Sequence, residues 1–546
     1  MDSVSPDPHP AGSGSREQEP CHPSAFLRAF DRHRERVMFL REGRPVLTYG
    51  EAYDEVFRLA RALAELGLRR GDGVAVMATD TPHAVLAQLA AQLLGCYYVR
   101  LSVLTPAPGQ VAALAEAGVK ALVFEPRTPP APAAEVVRAV PLALSLGPSP
   151  LGRNLLETAA RQSPAPMPAR GRGDDFGELV FTSGSTTGRP RLAGYTFDRL
   201  SALCRHWEPP AGPADRTDPA LAVFTGSPPC RLLAFPSLTS VPGIGLVPTL
   251  LHGGTIVLTD GFDTADVLRA VERDRVTVAT MVPTRLYRLL DHPDLATTDL
   301  SSLRLLVYMG ASIAQPRLRE ALLRLGPILA QSYGQNEARM ISVLHPDDHT
   351  GGRPELLRSA GRPRPGVEVS IRDDADASVP AGTVGEVWVR SPYTMNGYWR
   401  QPELTSRTVT DGWIRTGDLG RLDPDGYLYL VDRLRDMAIV EGHNCYTREV
   451  EDLLAGHPEV RQVAVVALPD DETGEALHAA VVGRPGAPVP EEELRALVRA
   501  EKSPWHVPRT IVAVDGIPLT EVGKPDKRAL RRHLAERLAD DGRQQA

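Results

Sequence analysis

The chain has 546 residues, of which 42% are hydrophobic and 24% are charged, and its formal net charge at neutral pH is −7. This length predicts several structural units, at roughly one per 100–200 residues. The negative charge and the lack of a long basic stretch argue against nucleic acid as a partner. Five scattered cysteines with no Cys-x-x-Cys pair support neither a zinc site nor a disulfide framework.

No part of the sequence has the character of a targeting or membrane segment. The N-terminus lacks the basic and apolar regions of a signal peptide. The most apolar window, residues 241–258, contains four glycines, two prolines and His252, which favours a buried loop and strands over a membrane span. We therefore predict a cytoplasmic protein that does not insert into a membrane.

Helical and strand patterns alternate through most of the chain. Residues 1–23 are rich in Pro, Ser and Gly, and we predict that they are disordered. Helical spacing over residues 53–66 precedes an apolar strand at 74–77. The same order recurs at 111–116 with 121–124, and at 265–273 with 277–281. Such alternation predicts an α/β architecture with mainly parallel sheets.

The pattern changes after about Asp432. Short charged helices at 449–454 and 491–500 flank the strand runs 460–468 and 479–482. This predicts a large domain over residues 24–432 and a small, mobile α+β domain over 433–537, joined at Leu434-Arg435-Asp436. The last residues, 538–546, are predicted to be disordered.

A segment rich in hydroxyls and glycines follows the apolar residues Leu179 and Val180. Residues 182–188, which we call the phosphate loop, contain five hydroxyls and two glycines. Glycines let backbone N–H groups turn toward a ligand and hydroxyls add donors, so such a loop can wrap a phosphate chain. It matches neither the P-loop nor the Gly-x-Ser-x-Gly pattern. Alone, it is also typical of a flexible surface loop.

Three further segments contain residues suited to a nucleotide site. Glu337 follows a tight turn and could hold Mg²⁺, although a solvated glutamate is the simpler interpretation. Asp418 could accept ribose hydroxyls, and Arg433 could reach phosphate oxygens. Lys524, in Pro518-Leu-Thr-Glu-Val-Gly-Lys524, would alone be a surface lysine in a turn. The chain has only four lysines among its 61 cationic Lys and Arg residues.

In this order, the four segments resemble those of the adenylate-forming superfamily of acyl- and aryl-CoA synthetases, peptide-synthetase adenylation domains and beetle luciferases. The resemblance extends from Leu47-Thr-Tyr-Gly to Lys524. It includes Gly361-Arg-Pro-Arg-Pro-Gly366, Gly397-Tyr-Trp399 and Gly442-His-Asn-Cys-Tyr446. It implies ATP and Mg²⁺ as cofactors and a small-molecule acid as substrate.

The resemblance also implies a role for each matching residue. The phosphate loop and the residue shortly after it would hold the β- and γ-phosphates: Thr182, Ser183, Gly184, Ser185, Thr186, Thr187, Gly188 and Arg191. Gly310, Gly334 and Asn336 would line the nucleotide site, where Tyr333 stacks on adenine, Asp418 binds the ribose and Glu337 binds Mg²⁺. Lys524 would bridge the acid and the nucleotide, with Arg433 and Glu337 as the other catalytic residues. The acid pocket would include Ser237, Thr239, Gly310 and Ala311, and Arg435 would be the hinge of a rotating small domain.

The chemistry of adenylation agrees with these residue types. Attack of a carboxylate on the α-phosphorus builds negative charge, which an aimed ammonium and Mg²⁺ would stabilise. A general base is not needed, since the attacking carboxylate is already ionised at neutral pH.

Some positions depart from the superfamily pattern. The phosphate loop is one residue longer than usual, Arg191-Leu192 replaces Lys-Gly, and Asn336 replaces a threonine. Glu441 replaces the first glycine of a pair that, in CoA-using relatives, lies in the loop presented for thioester formation. Adenylation is therefore predicted to be intact, whereas CoA transfer is an open question.

The leading hypothesis is an acid–CoA ligase or a stand-alone acid-adenylating enzyme, monomeric or homodimeric. Its acceptor would be CoA, an amine or a carrier protein. One alternative is AMP activation of an unusual oxyacid, such as nitrite for diazotisation of an aryl amine. Another is a non-catalytic nucleotide-binding relative, which would be expected to lose Glu337, Asp418 or Lys524; all three are present.

Overall fold

The structure is a computed structural model that describes residues 21–545 except 80, 104, 128–131, 183–190, 208–218, 227, 235–244, 260–262, 485, 487 and 521–522. Over these residues, helices and strands alternate through a large N-terminal domain and continue into a smaller C-terminal domain. This confirms the predicted fold class. Among the same residues, no helix combines the length and apolar character needed to cross a bilayer.

The helices cover both domains. In chain order they are α1 (Cys21–Arg32), α2 (Tyr49–Glu65), α3 (Pro82–Leu93), α4 (Ala107–Ala117), α5 (Ala134–Arg138), α6 (Leu155–Ala160), α7 (Phe197–Trp207), α8 (Pro219–Thr225), α9 (Leu246–Leu251), α10 (Thr264–Asp274), α11 (Pro283–Asp291), α12 (Gln315–Leu325), α13 (Pro346–Thr350), α14 (Pro402–Thr408), α15 (Thr447–Leu454), α16 (Glu491–Glu501) and α17 (Lys527–Gln545). Short 3₁₀ helices lie at Pro293–Ala296, Pro354–Arg358 and Pro504–His506.

The strands are shorter than most of the helices. In chain order they are β1 (Val37–Arg41), β2 (Arg44–Thr48), β3 (Gly73–Met77), β4 (Tyr97–Arg100), β5 (Ala121–Phe124), β6 (Leu142–Ser145), β7 (Arg153–Asn154), β8 (Phe176–Thr182), β9 (Arg191–Thr196), β10 (Arg231–Ala234), β11 (Thr255–Leu258), β12 (Val278–Met281), β13 (Leu305–Met309), β14 (Leu329–Gln335), β15 (Arg339–Leu344), β16 (Arg362–Pro363), β17 (Glu368–Arg372), β18 (Gly385–Arg390), β19 (Gly397–Tyr398), β20 (Val409–Thr410), β21 (Trp413–Leu422), β22 (Leu428–Arg433), β23 (Ala438–Val440), β24 (His443–Cys445), β25 (Val460–Asp470), β26 (Gly474–Gly483) and β27 (Thr510–Ala513).

Two mainly parallel sheets form the body of the large domain. One has the order β16-β15-β14-β13-β12-β10-β11-β1-β2, and the other has the order β19-β9-β8-β4-β3-β5-β6-β7. Antiparallel strands appear toward the ends of these sheets, where β14 pairs with β15 and β8 pairs with β9. Both antiparallel hairpins lead to predicted site residues.

A third sheet of the large domain is antiparallel, which the sequence patterns did not predict. Its order is β17-β18-β21-β20, and β22 pairs with β21. Arginines stack on its tryptophans: the guanidinium carbon of Arg372 lies 4.1 Å from the ring centre of Trp388 and 4.9 Å from that of Trp413. This sheet carries Asp418 and Arg433 into the site.

The C-terminal domain has the α+β character that was predicted for it. Its sheet has the order β24-β23-β26-β25, with β27 parallel to β26. One face packs against α15 and α16, where Val450, Leu454 and Leu494 are buried. The other face packs against α17.

Of residues 1–23 the structure describes only 21–23, at the start of α1, and α17 extends through residues 538–545. The disorder predicted for residues 1–23 and 538–546 stays a prediction. Phe26 and Phe30 of α1 are buried in the core of the large domain, and Leu530 and Leu534 of α17 are fully buried against the small sheet.

Candidate active site

The strands on either side of the phosphate loop form an antiparallel hairpin. Thr182, the last residue of β8, lies opposite Arg191, the first residue of β9. Thr182 is buried, and its hydroxyl has no hydrogen-bond partner among the described residues. An unpartnered buried donor at this point fits a ligand rich in acceptor oxygens, such as the phosphates of ATP. The other predicted loop residues lie outside the described residues: Ser183, Gly184, Ser185, Thr186, Thr187 and Gly188.

The end of β14 and the tight turn that follows it carry residues 333–337. A Cβ atom at Gly334 would lie 2.2 Å from the carbonyl oxygen of Arg339, so a larger residue would not fit. Arg339 has a φ of +61°, and its guanidinium pairs with Glu178 at 2.5 Å. The same guanidinium lies 3.8 Å from the ring centre of Tyr195. These contacts attach the turn to β8 and β9.

Asn336 connects the turn to the residue just before the phosphate loop. Its side-chain amide donates to the carbonyl oxygen of Phe181 at 2.8 Å, and the hydroxyl of Tyr195 donates to its backbone carbonyl. A primary amide has two hydrogens, so the second can still serve a ligand oxygen.

Glu337 is held at its backbone and at one carboxylate oxygen. The N–H of Met395 donates to its carbonyl oxygen at 2.9 Å, and the hydroxyl of Tyr398 donates to Oε1 at 2.9 Å. Among the described residues, no hydrogen bond is made to Oε2. These residues also contain no cluster of three or more His, Cys, Asp and Glu suited to a metal. A carboxylate with one open oxygen fits Mg²⁺, which binds one or two carboxylates together with phosphate oxygens.

Asp418 is the most tightly held carboxylate of the site. It is 4% exposed, and it accepts from the hydroxyl of Tyr333 at 2.6 Å and pairs with Nε of Arg433 at 3.0 Å. Strands β21 and β22 place Asp418 directly opposite Arg433. Burial, followed by the negative charge of Asp418, raises the pKa of Tyr333 well above its usual value, so this hydroxyl remains a donor.

Lys524 comes from the small domain and reaches the same place. A Cβ atom at Gly310 would lie 2.6 Å from Cε of Lys524 and 3.3 Å from Nζ. The adjacent carbonyl oxygen of Gly523 accepts from the Thr284 hydroxyl of α11 at 2.9 Å. Burial and the nearby charge of Arg433 lower the pKa of Lys524, while Asp418 opposes the shift. The structure thus brings Lys524 together with Gly310, Arg433 and Asp418.

Only part of the predicted acid pocket is described. Gly310 follows β13 with a φ of +87°, and Ala311 comes next and is half-buried. Ser237 and Thr239 lie outside the described residues.

The joint between the domains is exposed but anchored on each side. Leu434 and Arg435 are exposed, and the N–H of Leu434 donates to the carbonyl oxygen of Gly417 at 2.9 Å. Just before them, Asp432 accepts from the Thr447 hydroxyl at 3.0 Å at the start of α15. Just after them, Asp436 pairs with Arg531 at 2.7 Å. Arg435 therefore lies between a contact to α15 and a contact to α17.

Glu441 lies at the tip of the β23–β24 hairpin. It has a φ of +47°, a conformation that non-glycine residues adopt only occasionally. Its Oε2 accepts from the indole N–H of Trp505 at 3.1 Å, and His443 stacks on the same indole with ring centres 3.6 Å apart. The hairpin tip therefore presents a carboxylate where the superfamily pattern has glycine.

Sequence reasoning missed several residues that shape the site. Glu178, Tyr195 and Arg339 had no recognisable signal, since their contacts join segments far apart in the chain. Tyr398 belongs to the Gly397-Tyr-Trp399 match, but that resemblance alone did not indicate its contact with Glu337.

The two-domain architecture and this arrangement of residues define an adenylate-forming enzyme. The model of the AMP-binding enzyme family matches residues 26–399, and that of the AMP-binding enzyme C-terminal domain matches residues 449–524. The chain belongs to this family.

Similar proteins include CoA ligases and an amide-forming enzyme. A medium/long-chain-fatty-acid–CoA ligase of Mycobacterium tuberculosis is 36% identical, over 96% of this chain and 92% of that protein. A feruloyl-CoA synthase of Amycolatopsis is also 36% identical, over 91% of this chain and 95% of that protein. Amide bond synthetase McbA from Marinactinospora thermotolerans is 41% identical with a TM-score of 0.83, over 93% of this chain and 98% of that one. The chain is thus a ligase that activates an acid with ATP.

Proposed function

We propose that this enzyme activates a small carboxylic acid as its acyl-AMP adduct and then transfers the acyl group to CoA. In the first step, an oxygen of the acid attacks the α-phosphorus of ATP and pyrophosphate leaves. In the second step, the CoA thiol attacks the acyl carbon, the bond to AMP breaks and the thiol proton passes to solvent. The named CoA ligases among the relatives support this choice of acceptor.

The side chains of the site have distinct parts in the first step. The phosphate loop, with Arg191, would hold the β- and γ-phosphates, Tyr333 would stack on adenine, and Asp418 would accept the ribose hydroxyls. The ammonium of Lys524 would face the oxygens on which negative charge develops, where a preorganised cation lowers the barrier. Mg²⁺, when bound at Glu337, would neutralise phosphate charge.

The position of Lys524 is the observation that carries the proposal. This lysine belongs to the small domain, yet it lies against Gly310 and close to the charges of Arg433 and Asp418 in the large domain. Burial lowers the pKa of Lys524, and the repulsion from Arg433 lowers it further, by more than Asp418, already paired with Arg433, raises it. These protein charges alone therefore do not favour an ammonium at this half-buried position. Its placement is explained by a ligand whose negative charge both cations share.

Pyrophosphate release from ATP tests the first step. The purified enzyme is assayed with fatty, aryl and modified acids, each with and without CoA, and the products are identified by mass spectrometry. The proposal expects release with at least one acid and a CoA thioester when CoA is present. Nitrite with an aryl amine is included, and release with nitrite alone would replace the carboxylic acid by an oxyacid. No release with any acid would instead support a nucleotide-binding role without catalysis.

An amine is a second candidate acceptor, and Glu441 is the observation that favours it. A carboxylate attracts an ammonium ion, whereas it repels the phosphates of CoA. One similar protein is named as an amide bond synthetase. The test compares wild type with Glu441→Gly for amide and thioester formation from the same acid. Loss of amide formation with unchanged pyrophosphate release would support the amine, and thioester formation by both proteins would support CoA.

A further inference from the structure

We propose that Tyr398 is a positioning residue whose hydroxyl fixes the Glu337 carboxylate, with Oε1 occupied and Oε2 directed to a divalent cation. The inference rests on the metal-binding role proposed for Glu337 and adds a residue to which neither the sequence motifs nor the comparisons assign a role. It begins from the 2.9 Å hydrogen bond between the Tyr398 hydroxyl and Oε1.

The ring of Tyr398 is held firmly enough to position another group. Tyr398 is 8% exposed and lies in β19, where it is opposite Ala193 of β9. The next residue, Trp399, donates its N–H to the carbonyl oxygen of Leu192 at 2.8 Å. The N–H of Tyr398 itself donates to the Thr405 hydroxyl at 2.8 Å. The hydroxyl therefore occupies a place set by the same strand, β9, that follows the phosphate loop.

Glu337 is attached to this segment at two points. Its backbone carbonyl accepts from Met395, three residues before Tyr398, and its carboxylate accepts from Tyr398 itself. A glutamate side chain has several rotatable bonds, so a fixed backbone alone would leave the carboxylate free to turn. The second contact removes that freedom and leaves Oε2 without a hydrogen bond among the described residues. Carboxylates that bind metals are commonly oriented in this way by an outer hydrogen bond.

The substitution Tyr398→Phe removes the hydroxyl and keeps the ring. Mn²⁺ affinity is measured by electron paramagnetic resonance on the full-length enzyme with a non-hydrolysable ATP analogue, so that the readout does not depend on turnover. Loss of an orienting hydrogen bond of this kind typically weakens metal binding about tenfold or more. We expect a dissociation constant about tenfold higher, and adenylation that recovers when the metal concentration is raised.

The matched control is Tyr97→Phe. Tyr97 is also buried, and its hydroxyl donates at 3.0 Å to the carbonyl oxygens of Ala117 and Gly118, away from Glu337. The Tyr97→Phe variant loses a hydroxyl of similar burial, and its Mn²⁺ affinity should equal that of wild type. Equal weakening in both variants would mean a general structural effect and would overturn the inference.

Glu337→Ala separates this inference from the proposed role of Glu337. If Glu337→Ala loses the metal while Tyr398→Phe binds it as wild type does, the positioning role is overturned and the metal role stands. If Glu337→Ala binds Mn²⁺ normally, the metal lies elsewhere and both fail. The double variant is the second measurement. Adding Tyr398→Phe to Glu337→Ala should change metal affinity no further, and an additional loss would contradict action through Glu337.

Discussion

The large and small domains hold their parts of the site very differently. In the large domain, Asp418 is engaged at both oxygens and Glu337 is fixed at backbone and side chain. Lys524 is held by its own turn, by packing on Gly310 and by the Thr284 hydroxyl on its neighbour Gly523. The large-domain part of the site, which we propose binds the nucleotide, is therefore held in place by its own contacts, whereas the small domain brings the lysine to it. A lysine with few contacts can leave its position, as a mobile small domain would require, and that mobility stays a prediction.

Removing the ammonium group of Lys524 should have the largest effect on the adenylation rate. Lys524→Ala is expected to slow adenylation by about 10²–10³, as loss of one preorganised donor typically does. Nucleotide binding should be largely kept, because the large-domain contacts remain. Pyrophosphate release and equilibrium ATP binding measure the two effects separately. Lys502→Ala, which removes a half-buried ion pair with Glu449, is the control. A rate within tenfold of wild type for Lys524→Ala would contradict its role.

A larger residue at Gly310, against which Lys524 packs, should have the next largest effect on the adenylation rate. An alanine at Gly310 would be strained at a φ of +87° and would place its Cβ atom 2.6 Å from Cε of Lys524. We expect adenylation to slow by at least about tenfold as the ammonium is displaced. Gly326→Ala has a similar φ, +79°, and nothing within 4 Å of the added carbon. It therefore controls for backbone strain, and equal losses in both variants would rule out an effect through Lys524.

Alkaline pH should neutralise the ammonium of Lys524 by deprotonation, without a mutation. The pKa of Lys524 is lowered by burial and by Arg433, so its ammonium deprotonates at a lower pH than that of a free lysine. The kcat/KM of adenylation for ATP, which reports ionisations of the free enzyme, should therefore fall with rising pH below the ordinary lysine range. The unfolded chain binds this proton more tightly, so the contribution of Lys524 to stability changes in the opposite sense and rises with pH. A rate that stays flat up to the pH at which the protein unfolds would exclude the shift.

A smaller effect, on nucleotide affinity, is expected when one hydrogen bond in the large-domain part of the site is removed. Tyr333→Phe deletes the donor to Asp418, and a hydrogen bond to a charged group contributes about 1.5–3 kcal/mol. Nucleotide affinity should weaken about tenfold, as measured by calorimetry. Tyr49→Phe, which removes a buried hydroxyl bonded to the carbonyl oxygen of Gly254, should leave it unchanged.

The weakest effect is expected at the docking contact of the small domain. Thr284→Val removes the neutral hydrogen bond to Gly523, which contributes about 1 kcal/mol. Adenylation should slow by only about fivefold, with ATP affinity unchanged. Thr298→Val removes an exposed threonine contact to the carbonyl oxygen of Asp294 and serves as the control. A loss as large as that of Lys524→Ala would show that the small domain depends on this contact for docking.

The sequence predicted the parts of the molecule that depend on local pattern or on motif order. Helical spacing at residues 53–66 corresponds to α2, and the apolar run at 121–124 is β5. The motifs that precede Lys524 predict its place in the site, and the structure has it near Asp418. The third sheet was not predicted, because its strands mix buried and exposed residues without a clean alternation.

Contacts between distant segments could not be predicted from the chain alone. Arg339 and Glu178 are 161 positions apart, and Tyr398 and Glu337 are 61 apart. Nothing in the sequence around either residue of a pair specifies its partner, because the pairing depends on how β8, β9, β15 and β19 come together.

Asp432 makes a hydrogen bond across the joint that would stabilise one arrangement of the two domains over another. It ends the large domain, yet its carboxylate accepts from Thr447 at the start of α15. If the small domain turns about Arg435, this bond must break in each catalytic cycle and form again. A charged hydrogen bond of about 2 kcal/mol corresponds to a population ratio of about thirtyfold. Asp432 would then bias the resting enzyme toward the arrangement that awaits ATP, and its removal would let the later arrangement accumulate.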